Sequence, residues 1–395
     1  MAEQRDHPDI RLLDGDWYAA DPHPQWKWMR ENEPVYWDER ALVWGLASYE
    51  YVLAASKDPA TFSNAQGMRP DAPVIPSMIN FDDPEHKKRR NLVNKGFTLR
   101  RVQAKEARIR EIAIELIERC KQRGRFDFVM DLAAWLPLIT IGDMLGVLPA
   151  DYPRLLRWSD DLLKGTGAMT ESDAVRALTA FEEYTSYQNR VIADRRAGSP
   201  QEDLVSILVH AEIDGERLDD ESILQESLLI LIGGDETTRH VITGGMYELF
   251  RHPSQWHELV DGRASIPTAV EEMLRWVSPI KNMARTATRD VELGGRVIHE
   301  GEKVMLFYPS ANRDEAVFEK ADVFDIHRTP NEHIAFGWGA HFCLGASLAR
   351  LELRVMFEEL VRRMPALRLL EEAEPEMRVS NFISGIEHMP VELAD

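Results

Sequence analysis

The chain has 395 residues, 44% hydrophobic and 29% charged, the balance of a globular protein able to bury a large core. Its 47 basic residues against 67 acidic ones leave a net charge of -20, which excludes the basic footprint that broad nucleic-acid binding needs. Two cysteines, at 120 and 343, exclude a disulfide framework.

The first residues, MAEQRDHPDIRLLDGDW, lack the basic-then-apolar pattern of a secretory signal. The longest strongly apolar piece, LLILIGG at 228–234, falls far short of the roughly 18 residues that span a bilayer. The expected compartment is therefore the reducing cytoplasm, with no integral membrane segment. No internal repeat or low-complexity linker divides the chain, so residues 1–395 read as one domain.

The stretch 34–48, PVYWDERALVWGLAS, predicts a hairpin. From about 84 to 277 helical periodicity dominates. RIREIAIELIERC sets Ile109, Ile112, Leu116, Ile117 and Cys120 on one face, where Cys120 packs as a small hydrophobe. VELGGRVIHEGEKVMLFY at 291–308 carries Gly294-Gly295 between β-rich runs, a second hairpin signal. A last helix is predicted from about Gly345 to Arg363, with Leu348, Leu351, Val355, Met356 and Leu360 along one face. The fold class is mainly α with small peripheral sheets.

FGWGAHFCLG, Phe336 to Gly345, places Cys343 in a glycine-rich loop just before that last helix. It is not a dinucleotide fingerprint, because Phe342 stands where the third glycine belongs. It lacks the Gly-Lys-Ser/Thr of a phosphate loop, and His341 with Cys343 is too few ligands for zinc. A cysteine nucleophile with His341 as base remains open on the residues alone, although a third, orienting group is not evident. The other reading is a haem ligand. Glycines 337, 339 and 345 would let the backbone pass close to a flat ligand. A helix start would favour a thiolate, which is a strong axial ligand for haem iron.

The loop resembles the haem-binding signature of the cytochrome P450 family, F-G-x-G-x-H/R-x-C-x-G, at every fixed position. Further motifs in the family's order extend the resemblance over most of the chain. LLILIGGDETTRH (228–240) resembles the helix that crosses the haem on its oxygen-binding side. There Ile230 would face the pocket, Gly233 and Gly234 would give O2 room, and Glu236 with Thr237 would relay protons. Two mid-helix glycines cost up to about 1 kcal/mol each, so they point to more than packing. The family more often has Ala at the first of them. The acid–threonine pair argues against the family's peroxide-using branch. AVEEMLRW supplies Glu272 and Arg275 at i, i+3, resembling the family's buried structural bridge, with Arg328 as its third member.

A haem b would need donors for two buried carboxylates. By resemblance these are His86 and Arg90 from DDPEHKKRRNLV, Arg285, and His341; Phe336 and Cys343 complete the cofactor set, and Cys343 binds the iron. The adjoining Lys87, Lys88 and Arg89 are expected to help dock an acidic electron donor. The resemblance implies a monooxygenase that uses O2 and takes electrons from a separate ferredoxin and ferredoxin reductase. The loop 67–84 would cover the pocket through Ile75, Met78 and Ile79, while 161–169 and 381–390, with Ile383, would line it. In wording the motifs are closest to actinobacterial hydroxylases of the terminal side-chain carbon (C26/C27) of cholesterol or cholest-4-en-3-one. The alternative substrate is another hydrophobic molecule, such as a fatty acid, terpenoid or polyketide. A haem sensor and a peroxygenase remain rival classes.

Overall fold

The computed structural model describes residues 8–164, 170–213, 215–370 and 375–393. Its axis is the helix Asp220–Arg251, whose 32 residues make it about 48 Å long. Asp219 caps it, accepting the Ser222 N–H at 2.8 Å. The helix is buried over most of its circumference because it is walled in. Trp135–Met144, Glu171–Ala197, Ile266–Val277 and Ala346–Arg363 all pack on it. The predicted stripe from Ile109 to Cys120 is buried on the helix Glu106–Arg123, which packs against Ala346–Arg363. That last helix buries all five apolar positions expected of it.

The first hairpin pairs Val35–Asp38 with Val43–Leu46, with Trp37 opposite Trp44. It is one edge of a five-stranded sheet, because Lys303–Leu306 joins Val43–Leu46 in parallel. Met283–Ala287 and Phe62–Ser63 complete the sheet. The second hairpin turns at Gly294 and Gly295, whose φ values of 58° and 72° suit glycine. The helical stretch from 84 to 277 is interrupted by a short strand, Arg125–Asp127. Its partner is Pro390–Leu393, so no local periodicity reveals it.

A buried ionic bridge fixes the segment that leads into the cysteine loop. Arg275 donates twice to Glu272 at 2.8 Å, both side chains being wholly buried. Its remaining N–H groups bond the carbonyls of Asn312 and Ala321, at 2.8 Å each, and Val323 at 3.1 Å. Arg328 Nε reaches Glu272 at 3.1 Å, as the resemblance implied. Asp325 N–H and Asn331 Nδ2 add to the same carboxylate. One charge pair thereby organises irregular backbone from 312 to 331.

Candidate active site

The cysteine loop closes on itself: the Cys343 N–H donates to Phe336 O at 2.8 Å. Its glycines act differently from expectation. Gly339 has φ +74°, and a Cβ there would fall 2.4 Å from the Ser56 carbonyl oxygen. Gly337 also has positive φ, +68°. These two are required by the turn and by packing on the helix Tyr49–Lys57. Gly337 and Gly345 both line the cavity, and at Gly345 a Cβ would meet nothing within 4 Å.

Cys343 lines a cavity whose empty space, counted together with its solvent-open mouth, is about 1550 Å³. Burial pushes its thiol up, against the opposing pull of the Gly345 and Ala346 N–H groups and of Arg90 and Arg350. The helix start thus favours the thiolate without outweighing burial. A bound cation would settle the balance, since a coordinating thiol is deprotonated outright.

His86, Arg90, Arg285 and His341, from three distant segments, line the same cavity. The His86 and His341 rings lie 4.1 Å apart. Arg90 donates to Phe342 O, and Arg285 to Ala284 O at 2.8 Å. His341 is pushed down to about 2, first by burial and then by Arg285, His86 and Arg90. Burial also lowers His86. The one acid among the described lining residues is Glu352, on the last helix. Two guanidiniums and two neutral imidazoles gathered with so little acid form a receptor for anionic groups, which is what two haem carboxylates require.

The opposite wall is the central helix, through Ile230, Gly233, Gly234, Thr237, Thr238 and Val241. A Cβ on Gly233 would meet open space, whereas one on Gly234 would lie 2.5 Å from Ile141 Cδ1. Gly233 is therefore the residue that leaves room, and Gly234 is a packing glycine. Gly233→Ala is expected to leave the unfolding free energy from urea titration unchanged or raise it, by up to about 1 kcal/mol. Gly234→Ala should lower it by about 1 kcal/mol or more, the cost of overpacking.

The acid–threonine pair divides. The Thr237 hydroxyl lies on the cavity wall and donates to Gly233 O at 2.8 Å. Glu236 is wholly buried and is not among the lining residues. It is ion-paired to Arg239 and Arg378, with Arg378 Nη1 at 2.9 Å and His240 Nε2 at 3.2 Å. Burial alone would raise its pKa. The two guanidiniums outweigh burial and hold the carboxylate well below the usual range. In this arrangement Glu236 does not reach the cavity, contrary to a direct relay through both residues.

Met78, Ile79 and Ile383 line the substrate side as expected, joined by Met68, Met283 and Phe382. Ile75 does not. Its carbonyl instead accepts from Asn80 Nδ2 at 2.8 Å and shapes the loop from behind. Of 161–169, residues 165–169 lie outside the described residues, and 161–164 do not line the cavity. The basic run is also shorter than it reads. Lys87 and Lys88 are exposed, but Arg89 turns inward to Glu226. Arg239 and Arg378 went unremarked in the sequence. Arg239 stands three residues from Glu236, whereas nothing local marks Arg378, 142 positions away.

A cysteine on the wall of a cavity that gathers two guanidiniums and two imidazoles, with a glycine-opened helix on the same cavity, is the arrangement of a haem-thiolate protein. Residues 153–261 and 266–384 match the cytochrome P450 family, and the chain belongs to that family. A steroid C26-monooxygenase of Mycolicibacterium smegmatis is 49% identical over 99% of this chain and 98% of its own. A steroid C26-monooxygenase of Mycobacterium tuberculosis is 49% identical over 97% of each chain. Among solved structures, CYP109E1 of Bacillus megaterium in complex with testosterone superposes with a TM-score of 0.87 and 34% identity. That match covers 95% of this chain and all of the other. Family and fold imply haem b and the use of O2 by an oxidising enzyme.

Proposed function

We propose that the whole chain, residues 1–395, acts as one catalytic unit that hydroxylates the terminal carbon (C26/C27) of a steroid side chain, cholesterol or cholest-4-en-3-one. The observation that carries this reading is near full-length identity of 49% to two steroid C26-monooxygenases. The cavity agrees with it. Beyond the arginines and histidines, its walls include Met78, Ile79, Ile230, Phe382 and Ile383, with Asn64, Thr237, Thr238, Tyr308 and Glu352 as the sparse polar groups. Such a lining suits a large apolar molecule oriented by few contacts.

In this reading Cys343 would hold the iron, and His86, Arg90, Arg285 and His341 would hold the carboxylates. When bound, haem supplies the O2 binding and oxidising power that no side chain here provides. The protein does the rest. Apolar walls exclude water and leave the side-chain terminus as the group presented. Thr237 keeps a proton at its hydroxyl on the cavity wall, parked on Gly233 O. Glu236 acts as an anchored charge behind it, fixed by Arg239 and Arg378. Per turnover, one O2, two electrons and two protons convert a C–H bond to C–OH and release one water.

The electrons come from a ferredoxin and its reductase, in the cytoplasm. Exposed Lys87 and Lys88, on the same helix as His86 and Arg90, suit an acidic donor. Among the described residues no helix is long and apolar enough to cross a membrane.

Titrating cholest-4-en-3-one into the haem-loaded protein tests the substrate. The expected result is a saturable spin-state change in the visible spectrum, followed by a product hydroxylated at the side-chain terminus. A flat titration would remove the steroid assignment and leave the enzyme class standing.

A further inference from the structure

The central helix carries a buried carboxylate that the chemistry above does not use. Glu226 is wholly buried, two turns before the glycine opening. Its Oε1 accepts the backbone N–H of Met78 at 2.9 Å. Met78 begins the short turn Met78–Asn80, which places Met78 and Ile79 against the substrate cavity. The same oxygen lies 3.6 Å from Arg89 Nη1, whose guanidinium stacks over Phe81 at 5.6 Å. Arg89 belongs to the helix Glu85–Val93, which presents His86 and Arg90 to the other side of the cavity. One carboxylate therefore joins three elements: the central helix, the substrate loop and the helix of the carboxylate donors.

Its surroundings make the contact consequential. Oε2 has no hydrogen-bond partner, and burial pushes the carboxyl up to about 7 against the pull of Arg89 and the Met78 N–H. Retaining a desolvated acid here is costly unless it secures something. The rest of the loop is tied elsewhere. Arg69 pairs with Asp71, and Asn381 bonds both, while Asn80 accepts the Met68 N–H. Those bonds hold the loop's outer part to the chain's C-terminal region and to itself. The Glu226 bond holds its inner turn to the helix that walls the site.

We propose that Glu226 is a positioning residue that sets substrate affinity by pinning the Met78–Asn80 turn over the cavity. It touches neither the reacting atoms nor the metal ligand. Its removal should loosen the apolar roof without altering the oxidising chemistry, so it raises KM and leaves kcat nearly alone. The inference uses the steroid reading only in its choice of titrant.

The test compares E226L, E226Q and E226D with the unaltered holoenzyme. Two readouts are taken: hydrogen exchange at the Met78 amide, and the cholest-4-en-3-one dissociation constant from the spin-state change. Losing one hydrogen bond to a charged acceptor should raise both the exchange rate and the dissociation constant about tenfold in E226L. Haem content and the reduced CO spectrum should stay unchanged. E226Q retains an acceptor oxygen and should recover most of the affinity, which separates the latch from the charge. A folded, haem-loaded E226L with unaltered exchange and affinity overturns the proposal, and so does E226Q failing as badly as E226L. If E226L does not fold, E226D, one carbon too short for Met78, decides by the same two readouts. If cholest-4-en-3-one is silent with the unaltered protein, the substrate reading falls and amide exchange alone decides the role of Glu226.

Discussion

Arg275→Leu is expected to leave little folded protein. The substitution strands Glu272 in a wholly buried site with only the Arg328 pairing and two neutral donors. It also orphans the carbonyls of Asn312 and Ala321 and leaves Val323 O with Arg328 alone. Breaking a buried pair from one side costs about 3–5 kcal/mol, and each buried polar group left unpaired about 1–3 more. Those terms approach the entire stability of a typical domain, about 5–15 kcal/mol. Far-UV circular dichroism and urea unfolding should show a collapsed midpoint or no cooperative transition. Arg263→Ala is the control. Arg263 is an exposed arginine paired to exposed Asp261 at 3.0 Å, and its loss should move stability by less than about 1 kcal/mol. An R275L protein with an unaltered midpoint would show that the bridge does not organise the segment from 312 to 331.

The two cysteines should behave as opposites. Cys343→Ala removes the proposed iron ligand while preserving the loop's backbone bond to Phe336. Its reduced CO spectrum should lack the red-shifted band of thiolate ligation, and hydroxylation should fall to background. Cys120→Ala should keep the band and the turnover. Cys120 is buried on the stripe of the helix Glu106–Arg123, its thiol pushed up to about 11 chiefly by burial, so it is inert packing. Its loss should cost stability of about 1 kcal/mol. Spectra and product formation for both variants decide the matter. Equal loss in the two would show that activity follows stability and not ligation.

What the sequence made legible was local. The hairpin at 34–48, the stripe ending at Cys120 and the pair Glu272–Arg275 each lie within a few turns of chain. The alternation or spacing is the signal there. The order of the cysteine loop, the glycine opening and the bridge was specific enough to give the family and the gathering of His86, Arg90, Arg285 and His341.

What escaped depends on distant partners. Glu236 reads as a relay until Arg378, from the chain's far end, is seen to pair with it. Arg89 reads as a surface cation until Glu226 is seen beneath it. Gly339 reads as clearance for a ligand until the Ser56 carbonyl is seen to require it. Ile75 differs from Met78 and Ile79 only in which side of the loop it takes, and a loop without periodicity does not encode its sides. Strand pairing is subject to the same limit. Lys303–Leu306 joins a hairpin some 260 residues earlier, and only the folded sheet shows the registration.

The most direct test is the visible spectrum of the purified, unaltered protein after reduction and exposure to CO. Ligation by Cys343 within the cavity predicts copurifying haem and a red-shifted Soret band, which histidine ligation does not give. Protein that carries no haem, or a band of the histidine type, would contradict the account.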